Sequence, residues 1–197
     1  RKKISWNNNK FGILPVHCCL NCGFVFQNPR FDKQFYKNYY EKAYRNITLG
    51  TQKPPKKYLD DQKSRGKKLF KFLKPHIPKK GSMLDVGSSV GLMLLPFLKN
   101  NWKCSGNDPI RSYVDYGKQK FNLPVECILS EDMKLKNRSL DLIIIMGSLE
   151  HVVDVNLVMR KCEEAIKKNG ILVLEARGDP LGFSKNFFNQ SHHRYFF

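Results

Sequence analysis

The fold class that the sequence predicts is α/β, a doubly wound and mostly parallel sheet. Three observations predict it. From Ser82 onward, short apolar runs alternate with amphipathic stretches. The run Leu140–Met146 is almost wholly apolar and rich in β-branched residues, as suits a strand buried on both faces. A glycine-bearing turn, Gly87 to Gly91, follows the first apolar run, where a strand would pass into a helix.

The elements follow in order. Residues 1–31 read as irregular and hold a cysteine cluster. In residues 32–50, Phe35, Tyr36, Tyr39, Tyr40 and Tyr44 recur at helical spacing. Thr51-Gln52-Lys53-Pro54-Pro55 breaks the pattern, and a helix is expected from about Tyr58 to Leu73, stopped by Pro75 and Pro78. Met83–Val86 is the first strand of the sheet. Leu92–Asn100 reads as a helix whose Pro96 should kink it or delay its start. Lys103–Asn107 is a second strand, Ser112–Lys120 a helix, Val125–Leu129 a third strand and Leu140–Met146 a fourth. Val155–Lys168 reads as a helix closed by Asn169-Gly170, with Ile171–Glu175 as the fifth strand.

The totals exclude some classes. At 197 residues and 41% hydrophobic, the chain has enough apolar material for one α/β domain and a short appendage. No apolar stretch approaches the length of a membrane span, and residues 1–6 do not read as a signal peptide. The chain starts at Arg1 and ends in Tyr195-Phe196-Phe197, which reads as a fragment at both ends. The net charge of +18 invites a polyanion partner, but lysine far outnumbers arginine and is spread along the whole chain. Nucleic acid is therefore not the expected partner, and oligomeric state is not legible. The scattered cysteines Cys18, Cys19, Cys22, Cys104, Cys127 and Cys162 form no secreted disulfide framework, so a cytoplasmic location is expected.

Chemistry is expected at three successive strand ends. The segment Leu84-Asp85-Val86-Gly87-Ser88-Ser89-Val90-Gly91 lacks the G-x-G-x-x-G spacing of a dinucleotide site. An acid within the turn repels a pyrophosphate but suits a ligand carrying an amino group and a sulfonium. Asp108, in Gly106-Asn107-Asp108-Pro109, lies 23 residues beyond Asp85, where a carboxylate can accept ribose hydroxyls. Leu129-Ser130-Glu131-Asp132 ends the third strand, where polar groups can meet an adenine edge.

These motifs, with Ser139-Leu140-Asp141-Leu142-Ile143, Leu149-Glu150-His151-Val152 and Lys167–Glu175, resemble the class I S-adenosylmethionine (SAM)-dependent methyltransferases. The resemblance is good over about Gly81–Arg177. The upstream Cys19-x-x-Cys22-Gly23 stretch is similar to the leader of a branch with an N-terminal cysteine-rich zinc knuckle, which includes small-molecule and sugar C-methyltransferases. The resemblance implies a Rossmann-like sheet, normally closed by an antiparallel hairpin for which no strands are visible here. Strand five would then leave Ile171–Leu174 as an apolar edge.

It also implies roles. Asp85, Gly87, Ser88 and Gly91 would surround the methionine part of SAM, Asp108 would hold the ribose, Leu129 and Ser130 would border the adenine, and Met146 and Gly147 would line the space near the methyl group. Where Ser89 stands, the family usually carries glycine, so its Cβ puts the strength of SAM binding in question. Glu150 and His151 are the catalytic candidates after strand four. His192 and His193 precede a Tyr-Phe pair like the family's His-x-x-x-Phe stretch, and spacing does not decide between them.

Strand four ends in Met146-Gly147-Ser148-Leu149, without the Asn/Asp-Pro-Pro-aromatic motif of base N-methylation. The expected acceptor is a carbon or oxygen of a small molecule, such as a sugar, a lipid or a quinone-like compound. The alternatives are an RNA-modifying enzyme and a catalytically degenerate domain. A structural zinc site needs four ligands, and Cys19 and Cys22 supply half. No metal is therefore expected on this chain, with zinc reserved for a longer protein carrying an earlier Cys-x-x-Cys. The expected organisation is a cysteine-containing leader over residues 1–31, a helical cap over 32–80 and a SAM-binding domain, incomplete at its C-terminal end, over 81–197.

Overall fold

A computed structural model describes residues 16–23 and 25–175. The chain first forms a small antiparallel hairpin, β1 (Val16–Cys18) with β2 (Val25–Gln27), in a stretch whose sequence reads as irregular. Three helices follow: α1 (Lys33–Lys42), α2 (Tyr44–Leu49) and α3 (Lys56–Leu73). The Asp32 side chain caps α1 by accepting from the Phe35 amide at 2.7 Å, and Gly50 closes α2 in the left-handed conformation.

The sheet then builds strand by strand: β3 (Ser82–Val86), α4 (Leu95–Leu98), β4 (Lys103–Asn107), α5 (Arg111–Phe121), β5 (Val125–Glu126), β6 (Leu140–Met146), α6 (Val155–Ala165) and β7 (Ile166–Glu175). Among the described residues its order is β5-β4-β3-β6-β7, with every pairing parallel. The order reverses between β4 and β6 around β3, so the crevice of a doubly wound sheet falls at the C-terminal end of β3.

Alternation along each strand divides the core in two. Met83, Leu142 and Ile144 pack with Leu92, Phe97, Tyr113 and residues of α1 and α3. Leu84, Val86, Ile143 and Ile145 point the other way, onto Val158 and Cys162 of α6 and Met133. The four isoleucine and leucine side chains of Leu142–Ile145 are fully buried, as expected of a strand covered on both faces.

Four boundaries differ from the sequence expectation. Pro96 delays its helix: Leu92–Leu94 is a 3-10 turn, and α4 starts at Leu95 so that the proline sits in the first turn, where its missing N–H costs nothing. Strand three shrinks to Val125–Glu126, because Leu129 leads directly into a 3-10 turn, Ser130–Asp132. Helix α6 ends at Ala165, not Lys168. The amides of Arg138 and Ser139 take the carbonyls of Glu164 and Ala165 at 2.9 Å each and turn the chain into the sheet early. Asn169-Gly170 therefore lies inside β7, where the register jumps from Leu140 opposite Ile166 to Leu142 opposite Ile171.

Candidate functional site

A cavity of about 320 Å3 opens at the C-terminal ends of β3, β4 and β6, beneath α2 and α3. Its walls include Asp85, Gly87, Ser88, Asp108, Leu129, Ser130, Met146, Gly147 and His151. Residues read from three separate strand ends are thus brought to one space. A larger opening of about 820 Å3 between α6 and β7 shares none of them.

The turn after β3 is shaped by close approaches. Gly87 has φ +74°, and a Cβ there would fall 2.4 Å from Ser148 Cβ, so only glycine lets the β6 end come this near. Ser148 returns the contact by donating to the Val86 carbonyl at 2.5 Å. Gly91 has φ +85°, and its Cβ would meet Val125 Cγ2 at 2.5 Å. It does not line the cavity; its smallness seats the turn against β5.

Asp85 is buried, and its Oδ2 makes no hydrogen bond. Desolvation, with Asp108 adding and Arg65 subtracting, pushes its carboxyl up to about 7. Asp108 is also buried, with Oδ2 accepting from the Ser89 amide at 2.8 Å and Oδ1 from Ile110 at 2.9 Å. Burial raises its pKa, while the Arg45 guanidinium and these amides pull the other way. Asn107 braces the third strand end by donating to Ser130 Oγ at 3.1 Å and to the Ile128 carbonyl at 3.3 Å.

Ser89 has φ +56°, a left-handed conformation rarely taken by residues other than glycine. Its hydroxyl turns to the helices above, accepting from the Tyr58 hydroxyl at 2.7 Å and from Arg45 Nη2 at 3.3 Å. Arg45 is a buried cation whose guanidinium carbon lies 4.3 Å from the Tyr113 ring centroid, 5.1 Å from that of Tyr44 and 5.3 Å from that of Tyr58.

His151 ends the 3-10 turn Leu149–His151 and faces the cavity. The Tyr40 hydroxyl lies 3.1 Å from its Nδ1 and donates to its carbonyl at 3.2 Å. The segment just after the turn is held by Glu131, whose Oε1 accepts from the amides of Val153 and Asp154, and by Arg30, which donates to the Val152 carbonyl at 3.0 Å. Glu150 is buried and is not part of the cavity wall. His192 and His193 lie outside the described residues.

Sequence reasoning missed Tyr40, Arg45, Tyr58 and Arg65, all of which line the cavity. The tyrosine spacing showed a helix but not which face looked at the loop. Arg65 pairs with Glu175 at the end of β7 through both carboxylate oxygens, at 3.0 and 2.8 Å. At the hairpin tip Cys18 and Cys22 are exposed, and all six cysteines are free thiols. Among the described residues no group of three or more His, Cys, Asp or Glu is arranged to hold a metal ion.

Residues 84–174 match the family model described as a methyltransferase domain. Their parallel sheet has the Rossmann-like fold of the class I methyltransferases. Among curated proteins, a ubiquinone biosynthesis O-methyltransferase of Rhodopseudomonas palustris strain HaA2 is 32% identical over 97 residues, covering 47% of this chain and 38% of that protein. A protein of the same description from Coxiella burnetii is 31% identical over 109 residues, 52% of this chain and 47% of that one. The alignments thus span less than half the length of these relatives. Among solved structures, Streptomyces venezuelae DesVI superposes with a TM-score of 0.54 at 16% identity, covering 63% of this chain and 54% of that one. A SAM-dependent methyltransferase of Leishmania major gives 0.52 at 18% identity, covering 72% and 59%. At such identities these two likenesses speak for the fold alone.

Proposed function

We propose that the chain transfers the methyl group of SAM to an oxygen or carbon of a small-molecule acceptor. The observation that carries this reading is the buried, unpartnered Oδ2 of Asp85 in the wall of a cavity at three strand ends. A buried carboxylate oxygen without a partner is costly unless a ligand completes it. The donor set suits the zwitterionic, cationic SAM. Asp85 would take the ammonium and Arg65, on the same wall, the carboxylate. Asp108 keeps lone pairs beyond its two amides for the ribose hydroxyls. Leu129 and Ser130 would flank the adenine, and Met146 and Gly147 the methyl side. When bound, SAM supplies an electrophilic methyl carbon, so the protein's main task is to align the acceptor with it.

An oxygen acceptor must lose a proton as it attacks. The Tyr40 hydroxyl, 3.1 Å from Nδ1 and 3.2 Å from the carbonyl of His151, holds the imidazole at the cavity wall, where it would take up the acceptor's proton. The relatives described as O-methyltransferases support an oxygen acceptor. The free cysteines agree with a cytoplasmic enzyme, and no described helix is long and apolar enough to cross a membrane.

Incubation with SAM labelled in its methyl group and a panel of hydroxylated small molecules tests the reading. Label should pass to an acceptor oxygen, and His151→Ala should lower turnover about a hundredfold while leaving the Kd for SAM nearly unchanged. Loss of SAM binding with loss of turnover would instead make His151 part of the cofactor site.

A further inference from the structure

We propose that Ser89 is a positioning residue, a latch that fastens the helices α2 and α3 over the cofactor loop; the proposal rests on the methyltransferase reading of the same cavity. The resemblance leads one to expect glycine at this position, and the backbone there is indeed in a glycine-like conformation, φ +56°. A side chain kept in a strained conformation calls for a compensating interaction. Here the compensation is specific. The hydroxyl is buried and accepts from Tyr58 on α3 and from Arg45 on α2.

The Ser89 amide donates to Asp108. One residue therefore links the acid at the end of β4 to both helices that roof the cavity. Among the described residues, these two side-chain hydrogen bonds between the helices and the loop converge on one hydroxyl. Among the described residues Arg45 Nε has no hydrogen-bond partner, and its guanidinium is held by three tyrosine rings, the attraction of Asp108 and a bond to Ser89. The Tyr58 ring packs edge-on against Tyr113 of α5, with centroids 5.7 Å apart. Removing the Ser89 hydroxyl takes the acceptor from both donors at once and frees the roof, even though glycine relaxes the backbone.

The two views of Ser89 make opposite forecasts. As a degenerate substitute for glycine, Ser89→Gly would tighten SAM binding. As a latch, Ser89→Gly and Ser89→Ala each weaken SAM binding by about tenfold, the worth of a hydrogen bond to a charged group. Tyr58→Phe weakens it similarly, and Ser89→Ala combined with Tyr58→Phe adds little to either change. In the protein without SAM, hydrogen–deuterium exchange at residues 44–60 speeds up in Ser89→Gly, while exchange in β3 and β6 stays as in the wild type. SAM binding at wild-type strength or better in Ser89→Gly, or unchanged exchange over 44–60, overturns the latch. The exchange readout needs no ligand, so failure of the wild type to bind SAM would count against the methyltransferase reading and leave the latch to be judged on its own.

Discussion

Burial sets the Asp85 carboxyl at about 7, far above its ordinary value of 3.8. Its acid form is favoured by the fold, so the folded chain holds more protons than the unfolded one between these two values. Stability from this group is therefore full at low pH and falls as pH rises from about 4 to about 7. Asp85→Asn should raise Tm at pH 8 by roughly 10 °C, since ionising a carboxyl that titrates about three pH units late costs on the order of 4 kcal/mol, and should leave it unchanged near pH 4. The same substitution should weaken SAM binding about tenfold at pH 8 and abolish the rise in affinity that the wild type shows as pH climbs through 7. Thermal melts and titrations at several pH values check both. Asp85, next to last in β3, and Asp108, just after β4, were legible because an acid at a strand's C-terminal end lies at the mouth of the sheet. Arg45 and Tyr58 were not, because their place over the loop depends on how two helices fold back across residues far away in sequence.

At the scale of elements, strands were read more reliably than their connections. The apolar run Leu142–Met146 located β6, whose side chains from Leu142 to Ile145 are buried on both faces of the sheet. Helix ends depended on partners invisible in a local window, as where Arg138 and Ser139 claim the last carbonyls of α6. Turn glycines were visible, but not their purpose. Gly91 lay in the expected motif and serves the packing of β5. Gly91→Ala should cost about 2 kcal/mol or more, from the left-handed backbone and the contact with Val125. Urea unfolding should show a lower midpoint with an unchanged slope. Glu131 is an element-level brace: Glu131→Ala should loosen the turn carrying His151. Turnover should fall about tenfold as the proposed base loses its alignment, and more than SAM affinity does.

The whole molecule sorts its reactive groups by depth. Cys18 and Cys22 are exposed at the hairpin tip, whereas burial pushes the Cys104 thiol up to about 12 and that of Cys162 up to about 11. A thiol reagent at pH 8 should modify the tip cysteines of the native protein quickly and reach Cys104 and Cys162 only on unfolding, as peptide mass mapping would show. The global architecture was legible because alternation of strands and helices leaves few topologies, and the failed dinucleotide spacing narrowed the ligand further. The central claim is that the cavity at the ends of β3, β4 and β6 takes SAM. Isothermal titration of the folded chain with SAM measures it directly. Saturable binding at one site per chain is expected, lost or much weakened in Asp85→Asn. A folded wild-type chain that takes up no SAM, or an Asp85→Asn variant that binds it equally well, would contradict it.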